Sequence, residues 1–188
     1  MEKIKTIFDR NWETDRKVSS KLVVDFDFEN ATATEKLDGT NIRVTVRNGT
    51  IVRVEKRRNP SKVQKQKGIV DPWYVDADEF SSEDKWIFDA VKNTDFSTVP
   101  DGEWSAEAIG KNIQGNPLNL DNNQVFIFSL PSWREKITLE NVPNTFEALK
   151  EWLPQQKSVL NRQAGIEGIV WHHPNGTKVK IKVKDFDF

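Results

Sequence analysis

The stretch Glu35-Lys36-Leu37-Asp38-Gly39-Thr40-Asn41-Ile42-Arg43-Val44-Thr45-Val46-Arg47-Asn48-Gly49-Thr50-Ile51-Val52-Arg53-Val54-Glu55 decides how this chain folds. Ile42–Val46 and Ile51–Glu55 alternate apolar and polar residues on either side of Asn48-Gly49. That pattern predicts a β-hairpin closed by a tight turn, because Asn and Gly accept the positive φ that such a turn demands. Lys36 lies just ahead of the hairpin, which is expected to fix it to a rigid scaffold. An amine at the mouth of a sheet, beside an Asp-Gly turn that lets backbone approach a phosphate, suits a nucleophile for covalent group transfer. Lys-x-Asp-Gly is also what a solvated lysine before an ordinary turn looks like, so the motif acquires meaning only from what accompanies it.

Further segments follow in order: Glu55-Lys56-Arg57-Arg58-Asn59-Pro60, Asp101-Gly102-Glu103-Trp104, Phe126-Ile127-Phe128, Glu167-Gly168-Ile169-Val170 and Lys180-Ile181-Lys182-Val183-Lys184. Between Lys56 and Lys67 stand six basic residues and no acid, followed by a markedly acidic stretch. A run of that kind is either a solvated surface segment or a loop that touches phosphates. The net charge of −1 supplies no global attraction to nucleic acid, so any such binding must come from local clusters of this sort.

Composition sets limits on the rest. With 188 residues the chain can bury one good core and is short for two domains. The absence of cysteine excludes disulfides, thiolate catalysis and cysteine-ligated metals. No apolar run approaches membrane-spanning length, and Met1-Glu2-Lys3-Ile4-Lys5 is not followed by a secretory hydrophobic region, so a cytoplasmic protein with no membrane partner is expected.

The remaining pattern predicts sheets with flanking helices. Lys21–Phe26 reads as a strand within an amino-terminal stretch of no clean period. Ser82–Val91 reads as a helix with a capping serine. Thr145–Leu153 reads as another, with Phe146, Leu149, Trp152 and Leu153 on one face and Pro154 interrupting it. Asn175-Gly176 predicts a hairpin turn joining Gly165–Trp171 to Thr177–Lys184, whose strict alternation puts Lys178, Lys180, Lys182 and Lys184 on one face. Such lysines can be simple edge protection, but this hairpin also lets them share one end of a sheet with Glu167. Adjacent His172 and His173 point in opposite directions on a strand and cannot share an ion. Most of the seven tryptophans are expected in the core, with Trp73 and Trp104 near enough to the motifs to stack on bases. Ile109–Asn116, polar and bearing glycines, suits a loop over the site.

Taken together, the ordered segments resemble the covalent nucleotidyltransferase superfamily of ATP-dependent ligases and capping enzymes. Asn41, where DNA ligases and capping enzymes usually carry arginine, makes the chain similar to RNA ligases of the phage and RNA-editing type. The resemblance runs from about residue 31 to the C-terminus. It implies an α+β fold, an ATP-grasp-like nucleotidyltransferase domain with antiparallel sheets and flanking helices, as one adenylyltransferase domain over residues 1–188. No C-terminal accessory domain is expected after Lys184, and a protein partner is expected to supply that surface.

By the same resemblance, Lys36 is the residue that carries AMP. Glu35 or its backbone meets the adenine edge beside Leu37, and Phe128 stacks on the ring. Asn41 orients the ribose or its phosphate, and Arg57 contacts the nucleotide or the 5′-phosphate. Glu103 holds the ribose hydroxyls or a metal-bound water, while Glu167 organises magnesium or manganese, both glutamates acting on the metal through water. Lys182 and Lys184 contact the α-phosphate. The implied activity is ATP-dependent joining of a 5′-phosphate to a 3′-hydroxyl in RNA or nicked nucleic acid through lysyl-AMP. A free lysine is almost wholly protonated at neutral pH, and Lys182 and Lys184 are expected to disfavour the ammonium of Lys36 by repulsion. A capping-like, GTP-using nucleotidyltransferase and a non-catalytic nucleotide or RNA-binding module stand as alternatives.

Overall fold

The computed structural model describes residues 3–188; Met1 and Glu2, which open the stretch read above for a leader, lie outside the described residues. In chain order the strands are β1 (Lys5–Thr6), β2 (Phe8–Arg10), β3 (Val18–Leu22), β4 (Thr32–Lys36), β5 (Thr40–Arg47), β6 (Thr50–Arg58), β7 (Trp73–Asp76), β8 (Gly102–Ile109), β9 (Gln124–Phe126), β10 (Gly168–His172) and β11 (Lys178–Lys182). The helices are α1 (Lys62–Gln66), α2 (Lys85–Lys92), α3 (Pro131–Arg134) and α4 (Phe146–Trp152). Mostly antiparallel sheets with a few short helices make this an α+β fold, as expected. The contacts divide it into two compact units, Asp38–Arg134 and Ile4–Leu37 with Glu135–Phe188.

The first unit is built on the antiparallel sheet β7-β6-β5-β8-β9. Its centre is the hairpin β5–β6, in which Asn48 and Gly49 adopt φ of 51° and 72° as the turn requires. One face buries Ile42, Val44, Val46, Val54, Ala106, Ala108 and Val125 under Ile87 and Ala90 of α2. α2 begins at Lys85 rather than at a capping Ser82, because the N-cap position falls to Asp84 and its carboxylate is engaged elsewhere. Asp84 accepts from Lys56 Nζ at 2.8 Å and from the Asp78 N–H at 2.9 Å, while Ser81 Oγ accepts the Asp84 N–H. The segment after β8 is not a loose loop either. Ile113 and Leu118 are buried, and Asn123 Oδ1 accepts the Asn112 N–H at 2.9 Å.

The second unit carries a four-stranded sheet ordered β1-β11-β10-β4, with β1 parallel to β11 and the other pairs antiparallel, and a ribbon of β2 and β3. Its core gathers Ile7, Phe8, Val18, Ala33, Ile169, Trp171, Val179, Ile181 and Phe186 against Leu149 of α4 and Leu153. α4 starts where expected, with Thr145 Oγ1 accepting the Ala148 N–H, and a 3-10 turn carries the chain through Pro154. Of the strand expected over Lys21–Phe26, Lys21 and Leu22 form the end of β3 (Val18–Leu22), whose pairing with β2 runs from Val18 opposite Arg10 to Leu22 opposite Phe8 and sets its bounds. β11 ends at Lys182, and Lys184 lies in a following 3-10 turn (Val183–Asp185) instead of on the strand. Among the described residues no helix is long and apolar enough to cross a membrane.

Candidate functional site

Lys36 ends β4, and its scaffold is β10, not the β5–β6 hairpin that the sequence suggested. Gly168 opens β10 and pairs with Lys36 on one side and with Lys182 on the other. Directly opposed residues share a face, so the two lysines stand on the same side of the sheet with a glycine between them. That glycine is obligatory, since a Cβ there would run into the Ile181 carbonyl of β11. Just before it, Glu167 accepts the Lys36 ammonium on Oε2 at 2.8 Å and faces Lys182 Nζ with Oε1 at 3.6 Å. Its main-chain carbonyl accepts the Val183 N–H at 2.9 Å, fixing the chain that leads to Lys184.

The result is a half-buried cluster in which one carboxylate sits between two ammonium groups, with exposed Lys184 nearby. Burial pushes the Lys182 ammonium below the usual lysine range; Glu167 opposes that shift, and the charges of Lys36 and Lys184 add to it. Lys36 itself is held as a hydrogen-bond donor to Glu167, so its amine is not free in this arrangement. Glu35 points the other way. It pairs with Ile169 on the core face of β4, is 2% exposed, and accepts the Val159 N–H at 2.8 Å. Burial holds its carboxyl above the ordinary range, against hydrogen bonds from Ser158 and Val159. Its side chain is thus committed to the protein interior, leaving its backbone as the part that could face a ligand. Leu37 is buried.

In the first unit, Asn41, Arg57 and Glu103 lie on the polar face of the five-stranded sheet, opposite its core. Arg43 anchors that face by a two-pronged pair to buried Glu55, at 2.7 Å and 2.8 Å, and approaches Glu103 at 3.7 Å. The Arg43 guanidinium also lies 4.6 Å over the ring of Tyr74, whose hydroxyl donates to Asn41 Oδ1 at 2.8 Å. Its hydrogen bond to Arg43 holds Glu55 below the usual carboxylate range. Arg57 is exposed on β6 opposite Tyr74, and Glu103 is exposed near the start of β8. Phe128 is half-buried beyond the end of β9. By register it is Phe126, opposite Glu107, that shares the face of Asn41. Arg43, Glu55, Tyr74 and Phe126 were not singled out by sequence. Gly39 serves packing more than phosphate approach, because a Cβ there would collide with the Ala108 carbonyl.

The remaining sequence candidates have structural partners. His172 Nε2 lies 3.0 Å from Thr34 Oγ1 and His173 Nε2 lies 3.2 Å from Asp27 Oδ2, so the two rings serve different places. Trp104 donates to the Pro100 carbonyl at 2.9 Å.

Residues 102–187 match the family model of RNA ligase 1, which bears out the recognition of RNA-ligase character over that part of the chain. Among solved structures, an apo RNA ligase variant from Naegleria gruberi shows 17% identity over 83% of this chain and 51% of its own, with a TM-score of 0.49. A variant of Naegleria gruberi RNA ligase with AMP and Mn gives 17% identity, 82% and 49% coverage and a TM-score of 0.49. One with ATP and Mn gives 18%, 82%, 51% and 0.47. The chain thus spans about half the length of these ligases. Among curated proteins, none matches it.

Proposed function

We propose that this chain is the adenylyltransferase domain of an ATP-dependent RNA ligase, with Lys36 as the residue that carries AMP. The observation that supports this most is the pairing Lys36–Gly168–Lys182 with the Glu167 carboxylate between the two ammonium groups. In the proposed first step, the Lys36 nitrogen attacks the α-phosphorus of ATP, an N–P bond forms, and the bond to pyrophosphate breaks. The ammonium must lose a proton and its hydrogen bond beforehand, and Glu167 at 2.8 Å is the base within reach. Lys182 and Lys184 offset the charge that gathers on the phosphoryl oxygens. Asn41, Arg57, Glu103 and Phe128, with Glu35 and Leu37 through backbone or apolar contact, are the proposed nucleotide contacts. AMP then passes to a 5′-phosphate of RNA or nicked nucleic acid, and a 3′-hydroxyl displaces it. A cytoplasmic setting and a protein partner that extends the nucleic-acid surface belong to the same proposal.

Among the described residues no three or more His, Asp or Glu side chains converge as a metal cage. A lone carboxylate such as Glu167, with Glu103 as a further candidate, fits a magnesium or manganese ion that keeps most of its waters and binds through phosphate oxygens. When bound, such an ion supplies charge neutralisation on the triphosphate.

The test is incubation with ATP labelled at the α-phosphate and magnesium, followed by denaturation. Acid-labile label that is discharged by pyrophosphate and lost in Lys36→Ala is the expected result. Failure to take label from ATP, in protein shown by mass not to be adenylylated already, would overturn the reading and leave a binding module in its place.

A further inference from the structure

The amino-terminal segment supplies no motif to the site, yet it is tied to the last lysine motif at several points. Arg10 Nη2 donates to Asp185 Oδ1 at 2.7 Å, and the same guanidinium donates to the Arg16 carbonyl at 3.0 Å and to Thr6 Oγ1 at 3.3 Å. The other oxygen of Asp185 accepts the main-chain N–H of Lys182 at 2.9 Å. Lys17 Nζ donates to the Lys184 carbonyl at 2.8 Å, and the Ile7 N–H donates to the Lys180 carbonyl at 2.9 Å.

These bonds hold the place where the ladder gives out. β11 stops at Lys182, whose pairing with Gly168 is the last of the ladder, so beyond the Val183 N–H bond to the Glu167 carbonyl the backbone that carries Lys184 leaves the strand for the 3-10 turn Val183–Asp185. Asp185 bridges the bend by accepting the Lys182 N–H, and at 3% exposure its carboxylate depends on the Arg10 charge for compensation. Removing Arg10 would leave a buried charge unpaired, and the turn could keep its geometry only at a cost.

We propose that Arg10 and Asp185, with Lys17 as a second tie, form a clamp through which the amino-terminal segment positions Lys182 and Lys184 for nucleotidyl transfer. The two are positioning residues acting through the backbone of Lys182, and their assignment rests on the adenylyl-transfer reading above. Groups that stabilise transferring charge do so only when held in place; a misplacement of about 1 Å can cost roughly 100-fold in rate.

The test compares wild type with Arg10→Ala, Asp185→Asn, Lys17→Ala and the conservative Arg10→Lys in two assays. Hydrogen exchange over residues 180–188 reads the clamp itself. The rate of lysyl-AMP formation across a range of ATP concentrations reads its consequence. Arg10→Ala and Asp185→Asn are expected to speed exchange over residues 180–188 while residues 42–56 keep wild-type protection. Their rate at saturating ATP falls roughly 10- to 100-fold, and Arg10→Lys recovers part of it. Lys17→Ala removes no buried charge and gives a smaller fall in the same direction, which keeps the test decisive should the other variants fail to fold. Wild-type rates in variants whose exchange has risen would overturn the proposal while the adenylyl-transfer reading stands. If exchange responds but wild type itself takes no label, the adenylyl-transfer reading has failed, and the role given to the clamp falls with it.

Discussion

A buried carboxyl with one satisfied oxygen and one orphan prefers its proton more than the same group in water does, and Glu35 is such a group. Oε2 accepts the Val159 N–H, while Oε1 is buried with no hydrogen-bond partner. Burial raises its folded-state pKa above the ordinary 4.5. A raised folded value means that the carboxyl's contribution to stability is fully present below the unfolded value and is lost as pH rises through the folded one. Glu35→Gln cannot titrate, and every other group is common to both proteins. The thermal midpoint of wild type relative to Glu35→Gln should therefore become more favourable as pH falls from about 8 to about 5. A difference that is flat or opposite in sign would show that the burial penalty at Glu35 is not felt. That Glu35 and Lys36 face opposite sides was legible from strand alternation; the burial was not, because it depends on the distant Ser158–Val159 segment. The Arg43–Glu55 pair was hidden for another reason. Counting outward from Arg47 opposite Thr50 pairs Arg43 with Val54, but a bulge between Thr45 and Val46 inserts Val52 and brings Glu55 opposite Arg43. Val52, 60% exposed despite its apolar side chain, is the mark of that extra residue.

Elements were most legible where a local rule determines them. Asn48-Gly49 fixed one hairpin, the Thr145 cap and the spacing of Phe146, Leu149 and Leu153 fixed α4, and the alternation of Val179 and Ile181 fixed β11. Which strand holds Lys36 was not legible, because β4 and β10 are more than a hundred residues apart in sequence and their pairing is non-local. The glycine at their junction shows how tightly that pairing is drawn. Gly168→Ala would press a methyl group into the Ile181 carbonyl, forcing β10 and β11 apart. Overpacking of this kind costs about 1–3 kcal/mol. The variant should show that loss in denaturant unfolding, and a larger proportional loss of lysyl-AMP formation than of stability, since Lys36 and Lys182 lie on opposite sides of the displaced strand. Wild-type stability would mean that the sheet absorbs the methyl group elsewhere.

At the scale of the whole molecule, a net charge of −1 means that attraction to a polyanion must be local. The basic run supplies the place. α1 buries none of its residues, and Lys62, Lys65 and Lys67 are all exposed, as are Arg57 and Arg58. By contrast Lys56, the first residue of the run, is committed to Asp84 at 2.8 Å and cannot also serve a phosphate without breaking that pair. Lys62, Lys65 and Lys67 differ from Arg57, a proposed nucleotide contact, and from the lysines of the Glu167 cluster in having no part in the proposed chemistry at Lys36, so the two functions are separable by mutation. If the exposed cations neutralise RNA phosphates, each contact releases counterions and adds about 0.7 to the slope of log affinity against log salt for a single strand. The triple variant Lys62→Ala, Lys65→Ala, Lys67→Ala should thus lower that slope by up to about 2 and weaken single-stranded RNA binding most at low salt. Its labelling by ATP in the absence of RNA should stay at the wild-type level. Titrations of a fluorescent 5′-phosphorylated RNA at several salt concentrations would measure this directly. An unchanged slope would return the run to the status of a solvated surface, whereas a fall in ATP labelling without RNA would tie it to the nucleotide instead.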